Sequence, residues 1–175
     1  PQLLVRGYHR GVSAPPGFSQ DVFLGQAAQY FDITVDADRD DLSASTRPAF
    51  LALFGNRSRF LFQLKEGIDI DRAVPGNASD ALKHLDVTVL QSLVLGPLLD
   101  CDPDAPDAHG RIAYSPDVEQ LLSQLDEGKL DIVFIMRPTP LRALANIARA
   151  GELLPQKSTY FYPKLPTGLV FRAMC

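Results

Sequence analysis

The segment from Leu154 to Lys164 concentrates more polar and aromatic chemistry than any other stretch of the sequence. Lys157 and Lys164 flank the hydroxyl-bearing Ser158 and Thr159. Ammonium groups supply positive charge and hydroxyls donate hydrogen bonds, a combination that suits a phosphate or a carboxylate. Thr, Tyr and Phe also favour strands, so the same residues are equally typical of a structural strand with exposed polar side chains. Both interpretations stay open.

A third cation, Arg137, directly follows the apolar run 131–136, which we predict to be a buried strand. We expect that strand to neighbour the segment after Gly151. In an extended chain Lys157 and Thr159 point to one face and Ser158 to the other, so a shared site requires a bend. The hypothesis is an anion-sized concavity lined by Arg137, Lys157, Ser158, Thr159 and Lys164.

A phosphate-binding P-loop is the nearest known motif, and the sequence excludes it. Gln156 stands where the second glycine is needed for close approach of the backbone. A P-loop also leads from a strand into a helix, whereas Gly151 is predicted to end a helix.

No metal site is predicted. Asp100, Asp102 and Asp104 have the alternate spacing that opens a calcium loop, but Ala105 replaces the glycine of its turn and Arg111 its terminal glutamate. The three histidines are scattered and form no zinc pattern. There is likewise no Gly-x-Ser-x-Gly elbow, and neither cysteine has the local signature of a nucleophile. The sequence therefore identifies no catalytic residue.

Composition places the chain among ordinary globular domains, with 175 residues, 46% hydrophobic residues and 22% charged residues. The net charge of -4 and the lack of a basic run argue against nucleic-acid binding. The apolar stretches 85–99 and 130–136 are too short or too interrupted to span a bilayer. Two distant cysteines and the absence of a secretory signal predict a cytoplasmic protein. The sequence does not predict an oligomeric state.

The chain begins at Pro1 and runs directly into Leu3-Leu4-Val5, which resembles the middle of a strand. We therefore expect residues 1–175 to be a single domain that forms the C-terminal part of a longer protein.

The predicted elements alternate between strands and helices. Strands are expected at 3–8, 59–65, 111–114, 131–136 and 168–174, and helices after Ser19, within 50–54, from Asp86 to Gly96, and after Ser115-Pro116 and Thr139-Pro140. Gly11 to Gly17 is predicted to be a loop, and 36–41 an acidic connector. This order predicts the α/β class, with α+β as the alternative: one compact domain with a mixed sheet covered by helices. Predicted core residues are Phe60, Phe62, Leu90, Leu121, Leu122, Leu125, Val133, Ile135 and Leu144.

Three blocks of sequence, Leu85–Leu90, Asp131–Thr139 and Gly151–Val170, resemble the prokaryotic domain-of-unknown-function family 1015. The resemblance is weaker at Tyr8-His9-Arg10 and from Gly11 to Asn77. That family looks related to the ParB/sulfiredoxin-like fold, which includes free serine kinases, through an upstream Ala-Asp-Gly-His-His-Arg motif that is absent here.

The resemblance implies part of a small-molecule phosphotransferase that uses a nucleotide in the full-length protein and takes a phosphate or carboxylate ligand. The alternative is a noncatalytic ligand- or protein-binding module in which residues 154–164 form a structural strand.

Overall fold

The structure is a computed structural model that describes residues 4–74, 76–102 and 110–164. The strands in these ranges are β1 (Leu4–Arg6), β2 (His9–Val12), β3 (Phe31–Val35), β4 (Ala49–Phe54), β5 (Arg59–Leu64), β6 (Ile112–Ser115), β7 (Ile132–Ile135) and β8 (Tyr160–Tyr162). The helices are α1 (Gln20–Ala27), α2 (Arg39–Ala44), α3 (Ile70–Ala73), α4 (Asp80–Lys83), α5 (Asp86–Leu90), α6 (Gly96–Leu99), α7 (Val118–Asp126) and α8 (Leu141–Arg149). A π-helical segment, Gln91–Leu95, joins α5 to α6. The predicted α/β class and single compact domain are confirmed.

Six strands form one sheet in the order β3-β5-β4-β7-β2-β6, and β1 pairs with β8 in a separate two-stranded ribbon. Every pairing in the described part of the chain is antiparallel, whereas the sequence predicts a mixed sheet. Element order does not fix strand direction. Here β2 lies between β6 and β7 and runs antiparallel to both. Both of these partner strands come from the second half of the sequence.

Both faces of the sheet are covered by apolar side chains. One cluster contains Phe50, Phe62 and Phe134 together with α5 and the π-helical segment, and the other contains Leu51 and Val133 together with α7. Seven of the nine predicted core residues are buried. The exceptions, Leu122 and Leu144, are half-buried.

The run 50–54 is a strand, β4, and the predicted helix there is wrong. β4 pairs with β5 on one edge and β7 on the other, and its residues contribute to both apolar clusters. A strand covered on both faces has no polar alternation, so its sequence cannot be distinguished from a short buried helix.

Several predicted boundaries also move. Gly11 belongs to β2 rather than to a loop, and the acidic connector contains the start of α2, where Asp38 and Asp41 form a reciprocal cap. The helix after Leu85 continues beyond Gly96, because Pro97 occupies an early position of α6 where a missing N–H costs little.

Ser19 caps α1 as predicted, with its hydroxyl accepting from the N–H of Val22, but the caps predicted at Ser115 and Thr139 do not form. Asp117 caps α7, while Ser115 ends β6, and Pro140 occupies the cap position of α8 without a side-chain bond. The predicted strand 168–174 and Asp104 lie outside the described residues. Within the described ranges, no helix has both the length and the apolar character to cross a bilayer.

Candidate functional site

A cavity of about 740 Å3 lies beside the segment singled out by the sequence. We call it the lysine pocket; it is lined by Tyr8, Lys157, Ser158, Thr159, Tyr160 and Lys164, among others. The structure therefore brings four of the five predicted site residues to one concavity. The fifth, Arg137, lines an adjoining cavity instead.

The bend that a shared site requires is present at Lys157, whose φ of 55° lies in the left-handed region. The chain turns at Gln156 and Lys157 before it enters β8 at Tyr160. Because the backbone is not extended through this turn, the alternation of faces breaks down. Lys157, Ser158 and Thr159 can therefore line the same cavity.

Ser158 is buried and anchors the turn through hydrogen bonds. Its hydroxyl donates to the carbonyl of Pro155, and its carbonyl accepts a bond of 3.0 Å from the hydroxyl of Thr139. The sequence assigns the Ser158 hydroxyl to a bound anion. In the structure that hydroxyl already has an acceptor, so its observed contact shapes the pocket.

Aromatic rings form much of the pocket wall. The Nζ atom of Lys157 lies 5.8 Å from the ring centroid of Tyr8, and that of Lys164 lies 5.5 Å from Tyr160. The rings of Tyr8 and Tyr160 are 6.0 Å apart. Ammonium groups at this distance from ring faces are attracted to them, so each lysine has an aromatic partner at the pocket.

The adjoining cavity, which we call the arginine pocket, has a volume of about 540 Å3. Its polar lining includes Arg10, Arg47, His84, Asp86 and Arg137. Tyr8 and Ser158 line both pockets, so the two cavities share a wall.

Arg137 is bound to protein groups on several sides. Its guanidinium meets both carboxylate oxygens of Asp86, and it also donates to the carbonyls of Ser45 and Arg47. The hydrogen bond to Asp86 raises the pKa of Arg137, while partial burial opposes that rise. Since most of its N–H groups are already used, Arg137 links β7 to α5 and to the chain before β4, and has little capacity left for a ligand.

Arg10 is the residue that the sequence interpretation missed. It lies on β2, is only 2% exposed, and lines the arginine pocket. Its guanidinium donates to three backbone carbonyls, those of Tyr8 at 2.6 Å, Lys157 at 3.2 Å and Gln156 at 3.4 Å. Among the described residues it forms no ion pair with a carboxylate.

Burial lowers the pKa of Arg10 to about 10, so the side chain remains a cation at neutral pH. A buried charge without a counter-charge is costly, and a buried titratable group that lines a cavity is a candidate for a functional site. The sequence contains a usable signal. Since side chains two apart on a strand share a face, Arg10 lies on the same face as Val12, where an apolar residue is expected.

His9 points to the opposite face and supports the end of β7. Its Nδ1 accepts a hydrogen bond of 3.1 Å from the backbone N–H of Met136, the residue before Arg137. Burial, with help from the charges of Arg39 and Arg10, lowers the pKa of His9 to about 4. His9 is therefore neutral at physiological pH.

The net charge of the arginine pocket depends on which of its arginines are paired with a carboxylate. Arg47 pairs with Asp32 at 3.2 Å, and Arg137 pairs with Asp86. Arg10 contributes a cation that no described carboxylate balances. The pocket therefore favours an anion.

No family model and no curated protein matches the chain. Its fold is similar to that of a conserved hypothetical protein from Pyrococcus furiosus, with a TM-score of 0.52 and 15% identity over 94% of this chain and 58% of that one. It is also similar to a mutant free serine kinase in complex with AMP, with a TM-score of 0.50 and 15% identity over 91% of this chain and 54% of the kinase. These likenesses show the fold. The chain spans little more than half the length of the structures it matches.

Proposed function

We propose that the lysine and arginine pockets together bind a phosphate-bearing small molecule, namely a nucleotide. We further propose that the chain is part of a small-molecule phosphotransferase. The observation that carries the proposal is the buried guanidinium of Arg10, which faces a cavity and has no described carboxylate partner. The fold shared with a kinase that was captured with AMP supports it.

The two pockets have the sizes and the chemistry that a nucleotide needs. Cavities of about 740 and 540 Å3 fall within the range of about 300–1,000 Å3 that is common for small-molecule sites. Arg10 offers a guanidinium, whose planar fork matches phosphate oxygens. Tyr8 and Tyr160 offer ring faces on which a base could stack.

Phosphoryl transfer depends chiefly on positioning and on electrostatic stabilisation of the phosphate oxygens. Within the proposed site, Arg10 supplies a fixed charge, because its guanidinium is held by three backbone carbonyls. Lys157 and Lys164 supply charges on flexible stems at the edge of the same region. The hydroxyls of Thr139 and Ser158 hold the turn that carries Lys157.

The resemblance to family 1015, and through it to ParB/sulfiredoxin-like proteins, agrees with this proposal. The proposal also places the protein in the cytoplasm, where nucleotides are available. The alternative is a noncatalytic ligand- or protein-binding module, in which residues 154–164 are a structural segment and no phosphoryl group is transferred. Assay of the full-length protein for transfer from ATP to serine separates the two.

Binding is tested by calorimetry with AMP, ATP and inorganic phosphate on the wild type and on Arg10→Met, Lys157→Ala and Lys164→Ala. Loss of one charge-assisted contact at Arg10 is expected to weaken binding about 10- to 100-fold, and each lysine variant by a smaller factor. Lys129→Ala is the control, since that lysine is exposed and pairs with Glu127. Unchanged affinity in a folded Arg10→Met variant would falsify the proposal.

A further inference from the structure

The turn before β8 is held in place through three successive carbonyl oxygens. Those of Gln156 and Lys157 accept hydrogen bonds from the guanidinium of Arg10, at 3.4 and 3.2 Å. The next one, of Ser158, accepts a hydrogen bond of 3.0 Å from the hydroxyl of Thr139. Arg10 and Thr139 both line the arginine pocket, so the carbonyl side of the turn faces that pocket.

The N–H groups of the same peptides point the other way. In a trans peptide, the C=O of one residue and the N–H of the next lie on opposite sides of the chain. The N–H of Lys157 is therefore directed away from Arg10, and the N–H of Thr159 is directed away from Thr139. Lys157 and Thr159 line the lysine pocket and are not part of the lining of the arginine pocket. Both N–H groups therefore face the lysine pocket.

These two N–H groups are open donors. Neither has a hydrogen-bond partner within the described part of the chain, and the pairing of β8 with β1 begins only at Tyr160. A cation that is bonded to the carbonyl end of a peptide polarises it, so Arg10 makes the N–H of Lys157 a stronger donor. Backbone N–H groups exposed at turns with left-handed residues form concavities that bind anions, and Lys157 is such a residue.

We infer that the phosphate group itself binds in the lysine pocket, at the backbone N–H groups of Lys157 and Thr159, and that Thr139 is a positioning residue for these donors. The inference rests on the proposed binding of a phosphate-bearing molecule and adds which atoms receive the phosphate. Donors that are fixed before the ligand arrives need no reorganisation when it binds. The charge of Arg10 acts on the phosphate through the peptides that it holds, and the ammonium group of Lys164 lies at the same pocket.

The experiment follows the backbone amide protons of Lys157 and Thr159 by nuclear magnetic resonance in the full chain. AMP, inorganic phosphate and adenosine, which has no phosphate group, are added separately. AMP and phosphate are expected to move both amide protons downfield in a saturable manner, the direction produced by a hydrogen bond to a charged acceptor. Adenosine should leave both protons in place.

The role of Thr139 is tested by removing its hydroxyl. In Thr139→Val the affinity for AMP, measured by calorimetry, should fall about three- to tenfold, the effect of one neutral hydrogen bond, and the shift of the Thr159 amide proton should shrink. Thr139→Ser should restore both. Thr88→Val is the matched control, because Thr88 is also buried and its hydroxyl has no hydrogen-bond partner in the described part of the chain. Equal affinities in Thr139→Val and this control would remove the positioning role.

A second variant separates the N–H of Lys157 from its ammonium group. Lys157→Gly keeps the N–H, and glycine adopts a φ of 55° without strain. Both amide shifts should persist in this variant, with affinity reduced by about fivefold at most. Loss of the shifts in a folded Lys157→Gly variant would assign the phosphate to the ammonium group and overturn the inference.

The remaining outcomes distinguish this inference from the proposed function. Saturable binding of AMP in the wild type without movement of either amide proton would overturn the inference and leave nucleotide binding in place. Equal shifts with adenosine would do the same, because they would assign the amides to the nucleoside. If calorimetry detects no binding of AMP or phosphate to the wild type, both the inference and the proposed function fail.

Discussion

The guanidinium of Arg137 meets the carboxylate of Asp86 in a two-point contact, with Nε 2.8 Å from Oδ2 and Nη2 2.7 Å from Oδ1. The other carboxylate contact of Asp86 reaches the first residue of β4, since Oδ1 accepts from the N–H of Ala49 at 3.0 Å. The pair therefore joins α5, β4 and the end of β7 beneath the arginine pocket.

Replacement of Arg137 by alanine should lower the free energy of unfolding by about 3 kcal/mol, because it leaves the shielded carboxylate of Asp86 without its partner. Arg137→Lys should recover only part of that loss, since an ammonium cannot form the fork. Urea unfolding measures both. Arg142→Ala, at an exposed position of α8, is the control and should change stability by less than about 0.5 kcal/mol. An Arg137→Ala variant as stable as this control would refute the prediction.

Stability should also fall in mild acid because of His9. Its pKa is about 4 in the folded chain against 6.5 when free, so the unfolded state binds more protons between these values. The contribution is fully present above pH 6.5 and is lost as the pH falls towards 4, by about 3 kcal/mol in all. Urea unfolding from pH 7.5 to 4 should therefore give a shallower pH dependence for His9→Gln than for wild type.

Gly7 is required where β1 leads into β2. A Cβ atom at this position would lie 2.3 Å from the backbone oxygen of Met136, so the end of β7 would have to move. Gly7→Ala should cost about 2–3 kcal/mol of unfolding free energy. Gly25→Ala is the matched control. It lies on α1 with no atom within 4 Å of the added methyl group, and should stabilise the protein by about 0.5–1 kcal/mol. Equal effects at the two sites would contradict this reading of the contact.

Tyr8, which lines both pockets, should distinguish recognition of a base from recognition of a phosphate. If a nucleotide base stacks on its ring, Tyr8→Leu should weaken AMP binding by about tenfold or more while leaving inorganic phosphate binding nearly unchanged. Competition calorimetry with the two ligands measures the difference. A parallel loss for both ligands would assign Tyr8 a role in shaping the arginine pocket instead.

The extent to which the sequence predicts the fold depends on how each strand is covered. β5 was predictable because Phe60, Phe62 and Leu64 alternate with Arg59, Gln63 and Lys65, with Leu61 as the one exception, and the structure confirms that strand. β4 was not, since both of its faces are covered and its sequence is apolar throughout. Periodicity reports the difference between two environments, and a strand with the same environment on both faces has none.

The candidate site was also predictable only in part. Clustering of lysines and hydroxyls along residues 154–164 was visible in the sequence, and the left-handed turn at Lys157 brings them to one cavity. The sequence could not show that Arg137 is paired with a carboxylate while Arg10 has no such partner among the described residues. Whether an arginine is neutralised depends on its spatial neighbours, and Asp86 is 51 residues from Arg137 along the chain.

The position of β2 has a consequence for assembly. Both strands that pair with it come from the second half of the sequence, and the bond from Met136 to His9 joins residues 127 positions apart. The contacts that hold Arg10 are more distant still, reaching Lys157 across 147 positions. During synthesis, β2 must therefore remain without these partners until nearly the whole described chain has been made, because contacts of high sequence separation form late. The guanidinium of Arg10 becomes fixed only when the two ends of the fold have met, so a fragment lacking residues 156 and 157 should not hold this cation in place.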